Sequence, residues 1–231
     1  MATPPTPVHL EVVSSTQDEA RSRFAGDPLL VTAARQTAGR GRTGTVWEAA
    51  DRAVAASLAF TPRWPEGSWP VIAAVAGLAV AGVVGDGAQL KWPNDVVVDG
   101  AKVAGILVES DRRGVVVGIG INLWWPEPIP GAGALYRSDP GPHAGERLAV
   151  AWAADLLDRL ERPADDWGRD EFERRSATVG CHVTWEPGGA GRAVGIAANG
   201  GLMVDTAAGR VVLDSGVVRT VRATGHRADA G

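Results

Sequence analysis

The chain has 231 residues, of which 45% are hydrophobic and 22% are charged, and its formal net charge is −4. This length allows one or two domains with a sizeable core, so the composition excludes wholesale disorder, and the slight acidity argues against a nucleic-acid-binding surface. The single cysteine, Cys181, excludes an intrachain disulfide framework and a cysteine-rich zinc site, and it fits a reducing cytoplasm.

The sequence contains no pattern typical of a targeting segment or a membrane span. The proline-rich start, residues 1–7, lacks a basic region followed by an apolar one. The longest uncharged apolar stretch, residues 71–84, is shorter than the roughly 20 residues that cross a bilayer. We therefore predict that this stretch is a buried core helix.

The first part of the chain alternates strand and helix signals. Apolar runs predict strands at 9–13, 29–34 and 53–61. Residues 14–16, with an acidic residue three positions on, form a capping-box pattern that predicts a helix over 17–24. Ser68 as a cap and Pro70 in the first turn predict the start of the apolar helix, which continues over 72–84.

An antiparallel meander is the clearest pattern in the chain. Residues 89–92 are predicted to be extended, and Asp99-Gly100 predicts a two-residue hairpin between strands 96–98 and 101–109, because this dipeptide favours the primed turns. A turn at 111–114 leads into a strand at 115–123. Gly105 within its strand indicates a bulge or a close approach by a ligand or by another backbone. We expect the helix over 71–84 to pack on one face of this sheet.

The rest of the chain is predicted to be a long loop, two helices and a small β-unit. Prolines and glycines predict a loop over 124–142, and apolar residues at four-residue steps predict an amphipathic helix over 146–160. A shorter helix is predicted over 165–176. Short strands at 181–185, 192–197, 202–206 and 211–221 are typical of a small barrel of the SH3 type. We therefore predict two domains, residues 1–177 and 178–231.

Positive charge is concentrated in a few glycine-rich places. Arg35, Arg40 and Arg42 lie in or beside the loop over 36–44, while Lys91 precedes Trp92-Pro93-Asn94-Asp95 and Lys102 lies just after the Asp99-Gly100 turn. Such clusters in an acidic protein indicate an anion-binding site, because arginine presents forked donors and glycine lets the backbone approach a ligand. A solvated surface loop is an equal alternative for the arginine-glycine segment alone. The segment is not a P-loop, since no Lys-Ser or Lys-Thr closes it.

Other residues suggest how such an anion site works. Asn94 and Asp95 offer oxygens suited to Mg²⁺ beside phosphates, and an Asx turn is the alternative. Residues 118–122 fail the dinucleotide fingerprint, so we interpret their glycines as room for a flat ligand, with Asn122 directed at it. The sequence lacks the serine-hydrolase and zinc-protease motifs, and its histidines form no cluster. We therefore expect catalysis by positioning and charge neutralisation.

Several motifs, taken in order, resemble the biotin–protein ligase family (biotin–[acetyl-CoA-carboxylase] ligase). They are Gly-Arg-Gly-Arg-Thr-Gly at 39–44, Lys-Trp-Pro-Asn-Asp at 91–95, Lys-Val-Ala-Gly-Ile-Leu-Val-Glu at 102–109 and Gly-Ile-Gly-Ile-Asn at 118–122. Ser-Ser-Thr-Gln at 14–17 is similar to the family's opening motif, although Gln17 replaces its usual Asn, and Thr43 stands where some members have a third arginine. The resemblance implies an α+β fold: a class II aminoacyl-tRNA synthetase-like mixed, mostly antiparallel sheet with flanking helices, plus a small C-terminal SH3-like β-barrel.

The resemblance also implies a two-step ATP-dependent reaction. Biotin and Mg·ATP give biotinyl-5′-AMP and pyrophosphate, and a lysine amine of a biotin carboxyl carrier domain then attacks the mixed anhydride. The implied catalytic residues are Lys102, Arg40 and Arg42. The implied biotin site is formed by Ser15, Thr16, Gln17, Gln36, Gly39, Arg40, Gly41, Arg42, Lys102 and Gly105. The implied ATP site is formed by Arg40, Arg42, Trp47, Lys91, Asn94 and Asn122, and the implied Mg²⁺ ligands are Asn94 and Asp95.

Some members of this family carry an N-terminal DNA-binding domain. Because only 14 residues precede Ser15, we expect a ligase without a DNA-binding function. The single cysteine and the shortness of the apolar stretch over 71–84 lead us to expect a cytoplasmic protein without a membrane partner. We also expect the loop over 37–45 to be mobile without ligand and to become ordered with biotin. The alternatives are a lipoate–protein ligase-like acyltransferase of the same superfamily and a non-catalytic ligand-binding module.

Overall fold

The computed structural model describes residues 5–45, 47–127 and 129–220. In these residues the chain forms a seven-stranded sheet with flanking helices and a separate five-stranded sheet. The large sheet contains β1 (Val8–Val13), β2 (Leu29–Gln36), β3 (Arg52–Phe60), β4 (Gln89–Lys91), β5 (Asp95–Val98), β6 (Ala101–Asp111) and β7 (Gly114–Trp124). Its strand order is β1-β2-β3-β7-β6-β5-β4. β1 and β2 pair in parallel, whereas the other neighbouring strands pair antiparallel, as predicted.

The helices are α1 (Thr16–Arg23), α2 (Ile72–Val84), α3 (Ala144–Leu160) and α4 (Arg169–Arg174). The small sheet contains β8 (His182–Trp185), β9 (Gly189–Ile196), β10 (Leu202–Thr206), β11 (Gly209–Leu213) and β12 (Val218–Thr220), in the order β11-β10-β9-β8-β12. The predicted last strand over 211–221 is therefore wrong as one element, because Gly216 turns the chain with a φ of +126° between β11 and β12. Residues 221–231 of the predicted second domain lie outside the described residues.

The hairpin between β5 and β6 follows the sequence prediction. Asp99 and Gly100 have φ angles of 50° and 76°, as a type I′ turn requires. The register of the pair shifts so that Val96 lies opposite Ala104 while Val97 lies opposite Lys102. The bulge predicted at Gly105 is therefore slightly displaced along β6 toward the turn.

The predicted start of the apolar helix is wrong by one turn. A 3-10 segment, Glu66–Val71, contains both Ser68 and Pro70, and the α-helix begins only at Ile72 without a side-chain cap. The combined run Glu66–Val84 has 19 residues and is apolar enough to cross a membrane by length and composition. Most of α2 is buried in the core, where it packs against α3 and β6, and this packing accounts for its apolar composition.

The helix predicted over 165–176 is interrupted. Gly168 has a φ of +94°, which a continuous helix cannot accommodate, and it separates a 3-10 turn, Ala164–Asp166, from α4. A Cβ at Gly168 would lie 3.0 Å from Leu78 Cδ1 of α2. The close approach of this turn to α2 therefore requires glycine, and the helix breaks there.

The main hydrophobic core extends from the large sheet into the small one. It surrounds α2 and α3, where Leu78 and Trp152 are fully buried, and it includes Val183, Ile196 and Leu202 of the small sheet. The predicted domain boundary at 177/178 lies between α4 and β8. Because buried side chains on both sides of this boundary form one cluster, the two predicted domains share a core.

Candidate active site

A cavity of about 500 Å³ opens beside the centre of the large sheet. Its volume lies within the range of small-molecule sites, roughly 300–1,000 Å³. The predicted site residues that line it are Ser15, Thr16, Gln17, Gln36, Arg40, Gly41, Arg42, Trp47, Lys91, Asn94, Asp95, Lys102 and Gly105. The structure thus brings most of the predicted residues together, whereas Gly39 and Asn122 do not line the cavity.

One wall of the cavity is a network of uncharged polar side chains. Gln36 Oε1 accepts from the backbone N–H of Thr16 at 2.8 Å and from Thr16 Oγ1 at 3.1 Å. Thr16 Oγ1 also lies 2.9 Å from Ser57 Oγ, which donates to Gln17 Oε1 at 3.1 Å. Two hydroxyl protons serve three contacts, so one of these contacts lacks a proton. A ligand N–H could therefore donate to one of the two hydroxyl oxygens, Thr16 Oγ1 or Ser57 Oγ.

Gln17 links three elements beneath this wall. It is buried in α1, accepts from Ser57 of β3, and donates through Nε2 to the carbonyl oxygen of Val116 in β7 at 3.0 Å. A Cβ at Gly118 would lie 2.5 Å from Gln17 Oε1. The side chain that replaces the family's Asn therefore fits because residue 118 is glycine.

Ser57 belongs to the site, but the sequence reasoning missed it. It is buried and donates its hydrogen bond inside the wall. Its signal in the sequence was a single hydroxyl within the otherwise apolar run over 53–60. That signal does not reveal which face of β3 the hydroxyl occupies, since the register of β3 depends on distant strands.

The predicted lid arginine Arg40 is held by two carboxylates. Its guanidinium donates to both oxygens of Asp18, at 2.8 and 2.6 Å, and lies 3.5 Å from Glu109 Oε2. The hydrogen bond from Arg40 lowers the pKa of Asp18, and the hydrogen bond to Asp18 raises the pKa of Arg40. Both groups are therefore charged at neutral pH. The predicted capping box left its acidic member open between Asp18 and Glu19; Ser15 caps α1, and the Asp18 carboxylate binds the loop.

The residues predicted to hold Mg²⁺ both face cationic groups. Asp95 Oδ1 lies 2.6 Å from Lys102 Nζ, and Asn94 Oδ1 accepts from Arg42 Nη1 at 3.4 Å. The amide nitrogen of Asn94 donates to the carbonyl oxygen of Ile106 at 2.7 Å. These two side chains therefore do not fit a preformed cation site, and the described part of the chain contains no cluster of three or more His, Cys, Asp or Glu that could hold a metal.

The indole of Trp47 fills space that was predicted to accommodate a ligand. A Cβ at Gly120 would lie 2.5 Å from the Trp47 ring, and one at Gly105 would lie 2.9 Å from it. The ammonium of Lys102 lies 5.4 Å from the ring centroid, which is a cation–π contact. The interpretation of the β7 glycines is thus corrected: in this structure they make room for Trp47 and Gln17.

Two predicted residues lie beside the cavity. The carbonyl oxygen of Gly39 accepts from the backbone N–H of Trp47 at 2.9 Å, so Gly39 anchors the loop that carries the indole. Asn122 is buried further along β7, and its Oδ1 has no hydrogen-bond partner among the described residues. Its predicted contact with ATP stays a prediction.

The small sheet also contributes to the cavity wall. Its segment from Ser215 to Arg219, which includes the turn before β12, lines the cavity together with Lys91 at the end of β4 and Asp95 at the start of β5. The sequence did not predict this contribution. A pattern of short strands indicates a second sheet but does not show which of its turns faces the first.

The chain matches the family model "Biotin/lipoate A/B protein ligase family" over residues 9–124. The biotin–[acetyl-CoA-carboxylase] ligase of Mycobacterium tuberculosis is 35% identical to it, covering 92% of this chain and 89% of that relative. The ligase of the same name from Paracoccus denitrificans is 33% identical, covering 81% of this chain and 88% of the relative. The biotin protein ligase of Aquifex aeolicus, solved with biotin and ATP, superposes with a TM-score of 0.77 at 25% identity, covering 93% of this chain and 99% of that one. The predicted class II synthetase-like α+β fold is confirmed.

Proposed function

The chain belongs to the biotin/lipoate A/B protein ligase family, and on that premise we propose that it is an ATP-dependent biotin–[acetyl-CoA-carboxylase] ligase. In the first step a carboxylate oxygen of biotin attacks the α-phosphorus of ATP, and pyrophosphate leaves. In the second step a lysine amine of a carboxylase carrier domain attacks the carbonyl carbon of biotinyl-5′-AMP, and AMP leaves. The biotin carboxylate is itself the nucleophile, so the enzyme needs none of its own.

One observation carries the assignment of biotin to the cavity. A wall of polar side chains, including Thr16, Gln36 and Ser57, lies in the same cavity as the ammonium of Lys102. Biotin has a matching distribution of groups: a ureido ring that donates and accepts hydrogen bonds, and a carboxylate at the end of an apolar chain. We place the ureido ring on the polar wall and the carboxylate at Lys102, with Ile106 and Leu107 along the apolar part.

Lys102 supplies the charge that the first step requires. A carboxylate must approach a phosphate, and an ammonium between them lowers the repulsion in a site that water leaves on binding. Trp47 and Asp95 hold the Lys102 ammonium in place before the substrates bind. The incoming anions compete with Asp95 for it.

Arg40, Arg42 and Lys91 supply the remaining positive charge around the phosphates. They line the cavity together with Asn94, so the triphosphate is proposed to lie toward the β4–β5 loop. Magnesium enters this proposal as the counter-ion of ATP, which is part of the substrate. The loop that carries both arginines is proposed to close over the adenylate and to protect its anhydride from water.

The proposal also covers the setting of the reaction. The enzyme is placed in the cytoplasm with a carrier domain as its macromolecular partner and with neither DNA nor a membrane. The net charge of −4 supports the absence of a DNA-binding surface. The burial of α2 in the core supports the absence of a membrane partner, because the protein itself covers this apolar helix.

Biotin-dependent exchange between ATP and pyrophosphate tests this function. We expect exchange with biotin but not with lipoate. We expect Lys102→Ala to lower the exchange rate about 100-fold or more, because the repulsion between the biotin carboxylate and the phosphate is then no longer reduced in the transition state. Arg63→Ala, at an exposed ion pair distant from the cavity, is the control and should match the wild type. Exchange with lipoate alone would favour the related acyltransferase, and exchange with neither acid would favour a non-catalytic binding module.

A further inference from the structure

Trp92 is the second residue of the Lys-Trp-Pro-Asn-Asp motif, but the proposed reaction gives it no role. We propose that Trp92 is a positioning residue for the ATP end of the site: it fixes the small sheet against the β4–β5 loop, and the loop thereby holds Asn94 and Asp95 in place. This inference rests on the proposed function.

Both N–H groups of Trp92 donate to the part of the chain that follows α4. The backbone N–H donates to Thr178 Oγ1 at 3.0 Å, and the indole Nε1 donates to the carbonyl oxygen of Gly200 at 3.0 Å. Trp92 is 3% exposed and Thr178 is 1% exposed, so the bond between them is not easily replaced by water. Gly200 has a φ of +82°, which fixes its carbonyl in a turn that favours glycine.

The other end of the same loop is attached to the large sheet. The backbone of Asn94 accepts from the N–H of Ile106 at 2.9 Å, and the Asn94 side chain donates back to Ile106. Asp95 is paired with Lys102. The loop is therefore held at two points, by β6 at its end and by the small sheet through Trp92.

Part of the small sheet lines the same cavity as this loop. Residues Ser215 to Arg219 line the cavity together with Asn94. Loss of the Trp92 indole N–H would loosen the contact between the β4–β5 loop and the small sheet, and Asn94 on that loop would lose part of its support. The polar wall of Thr16, Gln36 and Ser57 is held by α1, β2 and β3 and would be unaffected.

Trp167 provides a matched control. It is also 3% exposed, and its Nε1 donates to the carbonyl oxygen of Ala198 at 3.1 Å, in the same turn that contains Gly200. It reaches this turn from the segment before α4 and does not line the cavity. Trp92→Phe and Trp167→Phe therefore each remove one buried indole donor to the same turn, but only Trp92→Phe affects the loop that carries Asn94.

The experiment measures biotin-dependent ATP–pyrophosphate exchange and the thermal midpoint of the full-length wild type and both variants. We expect Trp92→Phe to raise the KM for ATP about five- to tenfold, the size of one lost buried hydrogen bond, with the KM for biotin within about twofold of the wild type. Trp167→Phe should lower the thermal midpoint about as much as Trp92→Phe does, but it should leave the KM values for ATP and biotin unchanged. Thr178→Val removes the other Trp92 acceptor at nearly constant volume and should also raise the KM for ATP selectively.

Each contrary result has a distinct meaning. Equal kinetic behaviour of Trp92→Phe and Trp167→Phe, or an equal rise of both KM values in Trp92→Phe, would overturn this inference while leaving the proposed function intact. If Trp92→Phe does not fold, Thr178→Val decides between the same outcomes. Absence of exchange in the wild type would overturn the proposed function and this inference with it.

Discussion

Ser57 shows how one hydroxyl organises a ligand wall. It donates to Gln17 and lies in hydrogen-bond contact with Thr16, so it connects α1 to β3 at the floor of the cavity. Its removal would leave these buried oxygens with fewer partners, and the wall would lose its fixed geometry. This loss would affect the half of the cavity that is assigned to the ureido ring of biotin.

We expect Ser57→Ala to raise the KM for biotin about tenfold, because a buried polar group without its partner costs on the order of 1–3 kcal/mol. The KM for ATP should not change, since the phosphates are assigned to the opposite end. Steady-state exchange kinetics measure both constants. Ser22→Ala, on the exposed side of α1, is the control, and a biotin KM for Ser57→Ala equal to that of the control would contradict the role of this wall.

Gly120 of β7 leaves the space that the Trp47 indole occupies. A methyl group at residue 120 would lie 2.5 Å from the Trp47 ring, so Gly120→Ala must displace the indole that supports Lys102. We expect kcat/KM for exchange to fall more than about tenfold, in line with a catalytic group moved out of position. Gly67→Ala is the control, because its methyl group would meet no atom within 4 Å. Equal activity of the two variants would show that Trp47 does not position Lys102.

Single residues also mark the limit of sequence reasoning. Lys102 and Asn94 were predicted because their chemistry stands out within short motifs. Asp18 and Glu109 were missed as partners of Arg40, because they come from α1 and the far end of β6 and only the fold brings them to the loop. Ion pairs between distant segments leave no local pattern in a sequence.

At the scale of elements, α3 and α4 are joined by a half-buried ion pair. Arg159 and Glu171 have side chains that are 15% and 26% exposed, and their closest atoms are 2.9 Å apart. Burial alone would raise the pKa of Glu171, but the hydrogen bond and charge of Arg159, together with the charges of Arg175 and Arg174, outweigh it, so the pKa of Glu171 lies below its ordinary value of 4.5. The stabilisation by this carboxylate is therefore fully present above that ordinary value and is lost as the pH falls through the lowered pKa.

We expect Glu171→Gln to reduce the free energy of unfolding by about 1–2 kcal/mol at neutral pH, and this difference should shrink below about pH 4. Urea unfolding at both pH values measures it. The control is Glu161→Gln, whose partner Arg63 is 80% exposed and whose loss should cost less than about 0.5 kcal/mol. A difference between wild type and Glu171→Gln that is independent of pH would rule out the ionised carboxylate as its cause.

The loop over 37–45 is the element that we expect to change with ligand. Its glycines and like charges give it little packing of its own, and Arg40 is attached through exchangeable ion pairs. Biotin with ATP should slow tryptic cleavage after Arg40 and Arg42 at least about fivefold, because an ordered loop fits a protease poorly. Mass spectrometry of timed digests identifies the cleavage sites. Cleavage after Arg113, in the β6–β7 turn away from the cavity, serves as the internal control, and equal protection at both places would contradict loop ordering.

Element prediction succeeded where the pattern was local. The Asp99-Gly100 hairpin formed as predicted, because its turn conformation depends on those residues themselves. The break at Gly168 was missed, since it follows from close packing against Leu78 on α2. The split of the last predicted strand near Gly216 was missed for a similar reason: the turn there is stabilised by the position of β12 beside β8.

Across the whole molecule, the two sheets pack against each other. Their buried side chains form a shared core, and the small sheet supplies part of the cavity wall. The motifs and their order predicted the family, and the family resemblance in turn predicted the fold of the large sheet. The docking of the small sheet was not predictable, since it depends on the indoles of Trp92 and Trp167 reaching backbone carbonyls of a turn that is distant in sequence.

In the proposed function, one cavity joins biotin to ATP and then presents biotinyl-5′-AMP to a carrier lysine. The most direct measurement is the intact mass of a purified biotin carboxyl carrier domain after incubation with the enzyme, biotin and ATP. We expect one biotinyl group on one lysine, dependent on ATP and strongly reduced with Lys102→Ala. A carrier that stays unmodified with biotin while the wild-type enzyme is folded, or that is modified equally by Lys102→Ala, would contradict the proposed function.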